Sequence, residues 1–574
     1  MRFRPSFRRA LPALAASTAL AALALPAAAE RGADGEVRIL YWQAPSILNP
    51  YLSGGTKDVE SSSLILEPLA RYDEDGNMVP WLVEEIPTVE NGGVSEDLTA
   101  ITWKITPGLL WSDGSPFTAE DVVFTAAYCM DPTGGCQGLA KFEDVDTVEA
   151  VDDLTVKITF TKPKPFPYGP FVGAEAPVIQ KAQFENCMGT AAPGCTAQNF
   201  GPHGTGPYIV EDFRPNDVIT LVANPNYRDP AKPAFGRVLF KGGGDAASAA
   251  RAVFETGEFD YAWNLQVQPE ILEQMQRAGR GELLVAFGTS VERIHVNFTN
   301  PDPALGELRS TREGGPHPIF TDPRVARALS LAIDRELLVE AGYGQTGRAT
   351  CNVLPAPAAY ASTGVDWCLT QDVDEANRLL DEAGWEMGSD GVRTKDGMRF
   401  SILFQTSTNA VRQDAQALLK EMWSDIGVDT ELRNISASVF FGGDPASPDT
   451  FQKFYADLEM YTNNFNGTDP ETYMTALGVC DRAPSPATGW IGTNMPRYCN
   501  PEYDALAAEL AATAGIEARA EIAKQLNDML INDGAIIALI HRGGVSAKSN
   551  TLMGVRMNEW DSELWNIADW SRAK

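Results

Sequence analysis

The sequence predicts a mixed α/β protein built from several lobes. Apolar strand-like runs and amphipathic helical stretches alternate without strict order, the pattern of mixed layers. Removing residues 1–29 from the 574 leaves 545, enough for three or four domains of ordinary size. No internal repeat is visible along that length.

The first 29 residues read as a signal peptide. Arg2, Arg4, Arg8 and Arg9 form a basic start, Leu11–Leu25 an apolar run, and Ala27-Ala28-Ala29 a small-residue cleavage pattern. The run is short for a spanning helix, which needs about 20 residues. No later segment is apolar enough to span a bilayer, so a soluble exported chain is expected.

Glu36–Trp42 then reads as a strand that Asn49-Pro50 breaks, and Ser61–Leu66 as a helix. Arg71–Asn77 is a hairpin turn: Asp73 and Asp75 lack the further ligands and closing Glu of a calcium loop. Ile101, Trp103 and Ile105 mark a strand, Pro107-Gly108 a turn, and Thr118 with Asp121 a helix opening of capping-box type. Val148–Phe160 reads as a hairpin around Asp152-Asp153. Gly201–Tyr208 is a Gly/Pro cluster before a strand at Val218–Val222, and Asn224–Tyr227 closes that unit. Gly244–Glu258 is helical with a stop at Gly257, and a strand, Phe259–Leu265, follows.

Asp322-Pro323 opens a helix running to Gly342: Asp is a good N-cap and Pro suits the first helical position. Val325, Leu329, Ala332 and Ile333 share its apolar face, with Arg324, Arg327 and Arg335 off it. Further helices cover Val373–Ala383, stopping at Gly384, and Val411–Ile426, stopping at Gly427 before a strand at Val428–Leu432. The last helix is Ile516–Ile531, and an apolar strand, Ile536–Ile540, follows it.

The net charge is −31, and the leader holds four arginines and no acid, so the mature chain carries four more negative charges, near −35. Such a field repels nucleic acid and anionic lipid. Its plain reading is solubility; its functional reading is attraction of cationic solutes. Eight cysteines fall into four local couples, 129/136, 187/195, 351/368 and 480/499. An even count in an exported chain favours disulfides, and the spacing predicts Cys129–Cys136, Cys187–Cys195, Cys351–Cys368 and Cys480–Cys499. Zinc is the rival, but there is no C-x-x-C and no His beside a couple.

Residues 98–128 (LTAITWKITPGLLWSDGSPFTAEDVVFTAAY) resemble the signature of family 5 of the bacterial extracellular solute-binding proteins, the dipeptide-, oligopeptide- and nickel-binding group. Gly204-Thr205-Gly206-Pro207-Tyr208 with Asn224-Pro225-Asn226-Tyr227 is similar to that family's GTGPY…NPxY pair. Asp322–Leu338, Ala376–Trp385 and Pro501–Leu506 resemble three of its helices, in the same order. The resemblance implies a periplasmic binding protein type II-like fold, with two hinged lobes and an extra subdomain. Lobe one would comprise 30–70, 203–290 and 535–574, the extra subdomain 71–202, and lobe two 291–534. It implies a periplasmic, monomeric receptor that passes an extended solute, foremost a short peptide, to the membrane permease of an ATP-driven importer, with no covalent chemistry, cofactor or metal of its own.

Family ligands lie between the lobes, so candidate walls are sought where strands reach that cleft. They are Trp42, beside Gln43; Trp263 with Asn264; and Tyr461, Asn464 and Asp469 in the segment YTNNFNGTDP. Peptide binders of the family place an Asp a few residues after an aromatic to pair with the ligand's α-amine. Here the matching place, near Asn464, is an asparagine, and Asp469 lies further on. That weakens the case for a free-amine peptide. Arg497 is either a carboxylate grip or a surface arginine. A nickel chelate, a sugar or an opine-like solute stays open as an alternative cargo, and a secreted hydrolase as an alternative class. Gly342–Gly347 matches G-x-G-x-x-G but follows a helix, so it is a helix stop and not a dinucleotide cradle.

Overall fold

The computed structural model describes Met1, residues 30–465 and residues 467–573. The signal peptide expected at the start lies, from residue 2 on, outside the described residues. No helix among the described residues is long and apolar enough to cross a membrane.

Two sheets organise the chain. The first has seven strands in the order Gly281–Ala286, Gly544–Ser549, Tyr261–Trp263, Glu36–Tyr41, Arg237–Gly242, Val218–Ala223, Tyr208–Arg214. At its centre Glu36–Tyr41 pairs in parallel with Tyr261–Trp263 and with Arg237–Gly242. Side chains alternate across a strand. Val37, Ile39 and Tyr41 therefore enter one core, while Leu40 and, just beyond the strand, Trp42 enter another on the opposite face.

The second sheet has six strands in the order Gly347–Ala349, Ile536–Arg542, Val291–Val296, Leu458–Asn463, Ser401–Ser407, Asp429–Ile435. The parallel pair Ser401–Ser407 and Asp429–Ile435 is joined by the helix Ala410–Ser424. Asn409 caps that helix, and Gly427, at φ +80°, lets the chain leave it. A smaller antiparallel sheet of Ala100–Lys104, Thr155–Phe160 and Val145–Asp152 belongs to the segment between the first two portions of the seven-stranded sheet.

One antiparallel ribbon links the two large sheets. Gly281–Ala286 and Gly544–Ser549 are partners in the first, and their continuations Val291–Val296 and Ile536–Arg542 are partners in the second. The joints are Phe287–Ser290 and Gly543, tied by the Arg542 N–H donating to the Ser290 carbonyl at 3.1 Å. Gly543 is tightly packed: a Cβ there would lie 3.0 Å from Val285 and 3.1 Å from the Ala286 carbonyl oxygen, so those neighbours would have to give by a few tenths of an ångström. The strand Ile536–Arg542, grouped with lobe one on sequence, thus pairs in the second sheet, and the crossing falls at Gly543.

The sequence motifs turn out to be packing devices. Thr118 and Asp121 form the expected capping box, and Asp121 also accepts from the Trp111 indole at 3.1 Å. Gly204 and Gly206 press onto the backbone of Leu64-Ile65: a Cβ on Gly204 would lie 1.8 Å from the Ile65 carbonyl oxygen, and one on Gly206 2.7 Å from it. The Gly206 N–H donates to that oxygen, and Asn224 donates to the Gly206 carbonyl. All four expected disulfides are present.

Two local expectations are corrected. The helix placed at Ser61–Leu66 runs over Thr56–Ser62, started by Gly55. The helix from Asp322 is two, Pro323–Leu331 and Arg335–Gly342, because Asp334 caps a second N-terminus. Arg335 is buried there and not off the packed face. It donates to the carbonyl of Ser330 at the break and to those of the distant residues Cys368 and Ala538. The contact of Gly204 with Ile65 predicts that Gly204→Ala costs about 1–3 kcal/mol of stability. Urea unfolding followed by circular dichroism measures this, and an unshifted midpoint would refute it.

Candidate functional site

A cavity of about 290 Å³ lies where the two large sheets and the 71–202 segment converge. The first sheet contributes Gln43, Trp263, Asn264 and Gly544 to its wall, and the second contributes Tyr461, Thr462, Asn464 and Arg542. Tyr72, Phe166 and Tyr168 come from the 71–202 segment. The loop Asn558–Glu563 adds carboxylates.

The aromatic walls are rigidly backed. Trp263 stacks on Tyr41, with ring centroids 4.5 Å apart and planes 6° from parallel. Tyr461 stacks on His295 at 4.6 Å and packs edge-on against Phe451 at 5.3 Å. Rings held this way offer broad apolar contact while losing little side-chain entropy.

The candidate residues separate into three groups. Trp263, Asn264, Tyr461, Asn464 and Asp469 all line the cavity. Trp42 does not. Strand alternation turns it into the opposite core, where its indole donates to the Asn264 carbonyl at 2.8 Å. It holds the cavity's backbone from behind. Asn264 sits at φ +54°, a left-handed conformation that Asn tolerates, and its Oδ1 accepts from Arg542 at 2.6 Å. Asp469 lines the wall, but its carboxylate is held by Arg519, whose Nε donates to Oδ2 at 2.8 Å and whose Nη2 donates to Oδ1 at 2.5 Å. It is therefore no free anchor for an amine. Arg497 is neither a carboxylate grip nor a surface residue. It is buried and donates to the carbonyls of Ser310, Met495 and Gln452.

Sequence reasoning missed the carboxylates. Glu60, on the helix Thr56–Ser62, is 4% exposed, and Glu563 is 5% exposed. Glu60 accepts from the Ser562 hydroxyl at 2.6 Å and from the Glu563 N–H at 3.2 Å. Glu563 accepts from the Tyr261 hydroxyl at 2.5 Å and the Ser546 hydroxyl at 2.6 Å. Burial, and then the neighbouring Glu563, push the Glu60 carboxyl up to about 8. Burial likewise raises Glu563, and burial with Glu563 beside it raises Glu559 well above the usual carboxylate range. Within the chain Glu60 looks like any acid on a solvated helix face. The one available signal was Glu559-Trp560-Asp561-Ser562-Glu563, three acids in five positions soon after the last long strand.

Ion pairs also tie the 71–202 segment to the second sheet's side of the cavity. Lys164 pairs with Glu471, and Arg482 with Glu143.

A fold of two sheets joined by one ribbon, with a chamber between them, defines the class of two-lobed solute receptors. The profile of "Bacterial extracellular solute-binding proteins, family 5 Middle" matches residues 77–485, and the chain belongs to this family. Its members are solute-binding proteins. Protein XP55 of Streptomyces lividans is 25% identical over 501 residues, covering 87% of this chain and 82% of XP55. The fold is shared with the oligopeptide-binding protein AppA of Bacillus subtilis, solved with a nonapeptide, at TM-score 0.79 and 20% identity over 95% of this chain and 100% of AppA. It is shared too with NikZ of Campylobacter jejuni, solved with Ni(L-His), at TM-score 0.78 and 20% identity over 94% of this chain and 100% of NikZ.

The raised Glu60 carboxyl has a sign that can be checked. Its folded value of about 8 lies above the ordinary 4.5, so the folded chain holds the proton more tightly than the unfolded one. The group's contribution to stability is full below the ordinary value and is lost as pH rises through about 8. Glu60→Gln should therefore raise the urea midpoint over wild type at pH 9, with the gap closing toward pH 5. A gap independent of pH would contradict this.

Proposed function

We propose that this chain is a periplasmic receptor that captures an extended solute, foremost a short peptide, and delivers it unaltered to the membrane permease of an ATP-driven importer. The observation that carries the reading is a chamber walled by two sheets whose backbone link is one ribbon, with the 71–202 segment closing the third side. Rotation at Phe287–Ser290 and Gly543 would open it. In this reading the lobes are 30–70 with 203–290 and the chain from 543 on, against 291–542, and 71–202 is the extra subdomain. The receptor acts as a monomer. Closure is a population shift that the solute drives through contacts made only in the closed form. Lys164–Glu471 and Arg482–Glu143 bias the balance toward closure, so a solute need supply less of the several kcal/mol that a full shift takes.

The peptide reading is supported by family membership and by the fold shared with AppA. A second reading keeps the fold and changes the cargo to a nickel chelate, a sugar or an opine-like compound. It is favoured by Asn464, which stands where an amine-pairing carboxylate was expected, and by Arg519 occupying Asp469. Solute released by denaturing the purified protein and identified by mass spectrometry separates these readings. Intact peptide supports the first and intact non-peptide solute the second, whereas cleaved peptide would point to a hydrolase and end the receptor reading.

With that solute, Trp263→Ala and Tyr461→Ala should each weaken binding about tenfold to a hundredfold by calorimetry, the loss of roughly 1.4–2.8 kcal/mol of aromatic contact. Lys164→Met leaves the cavity lining intact and removes the ion pair with Glu471. It should weaken binding while increasing the radius of gyration of the unliganded protein in X-ray scattering. An unchanged radius would remove the ion pair from the closure account.

A further inference from the structure

We infer that the solute carries a cationic group, an ammonium or a guanidinium, which docks against Glu60, Glu559 and Glu563. The inference rests on the reading of the cavity as the solute chamber and adds the chemistry of what enters it.

The charges around the chamber do not balance. Asp469 is paired with Arg519, Asp561 with Arg71, and the buried Glu292 with Arg412. Glu60, Glu559 and Glu563 have no Lys, Arg or His within 4.0 Å among the described residues. The cation that faces them is Arg542, itself 5% exposed and, among the described residues, without an ion pair. Its guanidinium donates to Asn264 Oδ1 at 2.6 Å, Thr462 Oγ1 at 3.2 Å and the Gly543 carbonyl. Three carboxyl groups face one guanidinium, and their raised pKa values leave them holding protons that an arriving cation would displace. Buried carboxylates without a counter-charge are costly to keep ionised. An arriving cation removes that cost and gains charge-assisted hydrogen bonds in a low-dielectric chamber.

The carboxylates are also held in place. The Ser562, Tyr261 and Ser546 hydroxyls each give a proton to Glu60 or Glu563 and so fix where those oxygens lie. Glu559 lies on two glycines. A Cβ on Gly288 would sit 2.4 Å from the Glu559 Cβ, and one on Gly544 1.6 Å from its Oε1. The backbone has been cleared so that this side chain can reach the chamber. Glu559 accepts one weak bond, from the Ser290 hydroxyl to Oε2 at 3.3 Å, and among the described residues Oε1 accepts none. That oxygen is open to a donor from the chamber. The carboxyl cluster thus stands on the loop Asn558–Glu563 and the helix Thr56–Ser62, away from the Tyr461–Asp469 segment where an amine partner was expected.

The test uses the full mature protein and a defined mixture. The mixture holds free-amine tripeptides without acidic or basic side chains, the same peptides N-acetylated, aliphatic diamines and neutral disaccharides. Protein is incubated, washed and denatured, and the released compounds are quantified by mass spectrometry. Cationic members should be enriched at least tenfold over acetylated and neutral ones. The double variant Glu559→Gln with Glu563→Gln should lose that preference, while its thermal midpoint stays at or above wild type because two neighbouring carboxyl groups that oppose each other's ionisation are gone. Equal retention of acetylated and free-amine peptides, retention of disaccharides alone, or a double variant with the preference intact would overturn the inference and leave the receptor reading standing. Retention of nothing would overturn both. Release of cut peptides would overturn the receptor reading, and this inference with it.

Discussion

The structure hangs on one antiparallel ribbon. Residues 281–296 and 536–549 run side by side through both large sheets and change sheet at neighbouring joints, Phe287–Ser290 and Gly543. Each sheet is therefore held by its own ladder and its own core, while the link between them is two short backbone crossings. A Cβ at Gly543 would crowd Val285 and Ala286, and one at Gly288 would overlap Glu559. Ser290 at one joint, and Arg542 and Gly544 on either side of the other, also line the chamber.

Around those joints the chamber combines two kinds of surface. Trp263 and Tyr461 are flat apolar walls backed by Tyr41 and His295, and such walls tolerate varied solutes. The carboxylates and Arg542 are fixed polar groups that impose orientation and charge. A few polar groups on an apolar lining is the usual composition of a small-molecule site. On the inference of a cationic solute, the net negative charge of the chain would act in the same direction as these carboxyl groups.

The family motifs lie mostly away from this chemistry. Gly204 and Gly206 allow two backbones to touch, Asn224 ties that contact, and Asp121 anchors a helix start and the Trp111 indole. Such motifs hold the scaffold. The motifs that place the chain in this family, Gly204, Gly206, Asn224 and Asp121 among them, are not among the residues that line the chamber.

What the sequence determined by itself was local. Thr118 with Asp121, Asp322-Pro323, and the glycines at 384 and 427 announce helix ends because capping involves groups within a few residues of one another. The four disulfides were legible for the same reason, with partners 7 to 19 residues apart. Asp334 shows the limit even there, since the break it makes depends on Arg335 reaching distant carbonyls. The tertiary structure alone decided which face of Glu36–Tyr41 met which core, and so turned Trp42 away from the chamber. It also gave Asp469 to Arg519, 50 residues on, and set Glu60 against Glu563 across 503 residues. Burial and charge pairing are set by whichever distant segments a fold brings together, and neither leaves a mark in the spacing of neighbouring residues.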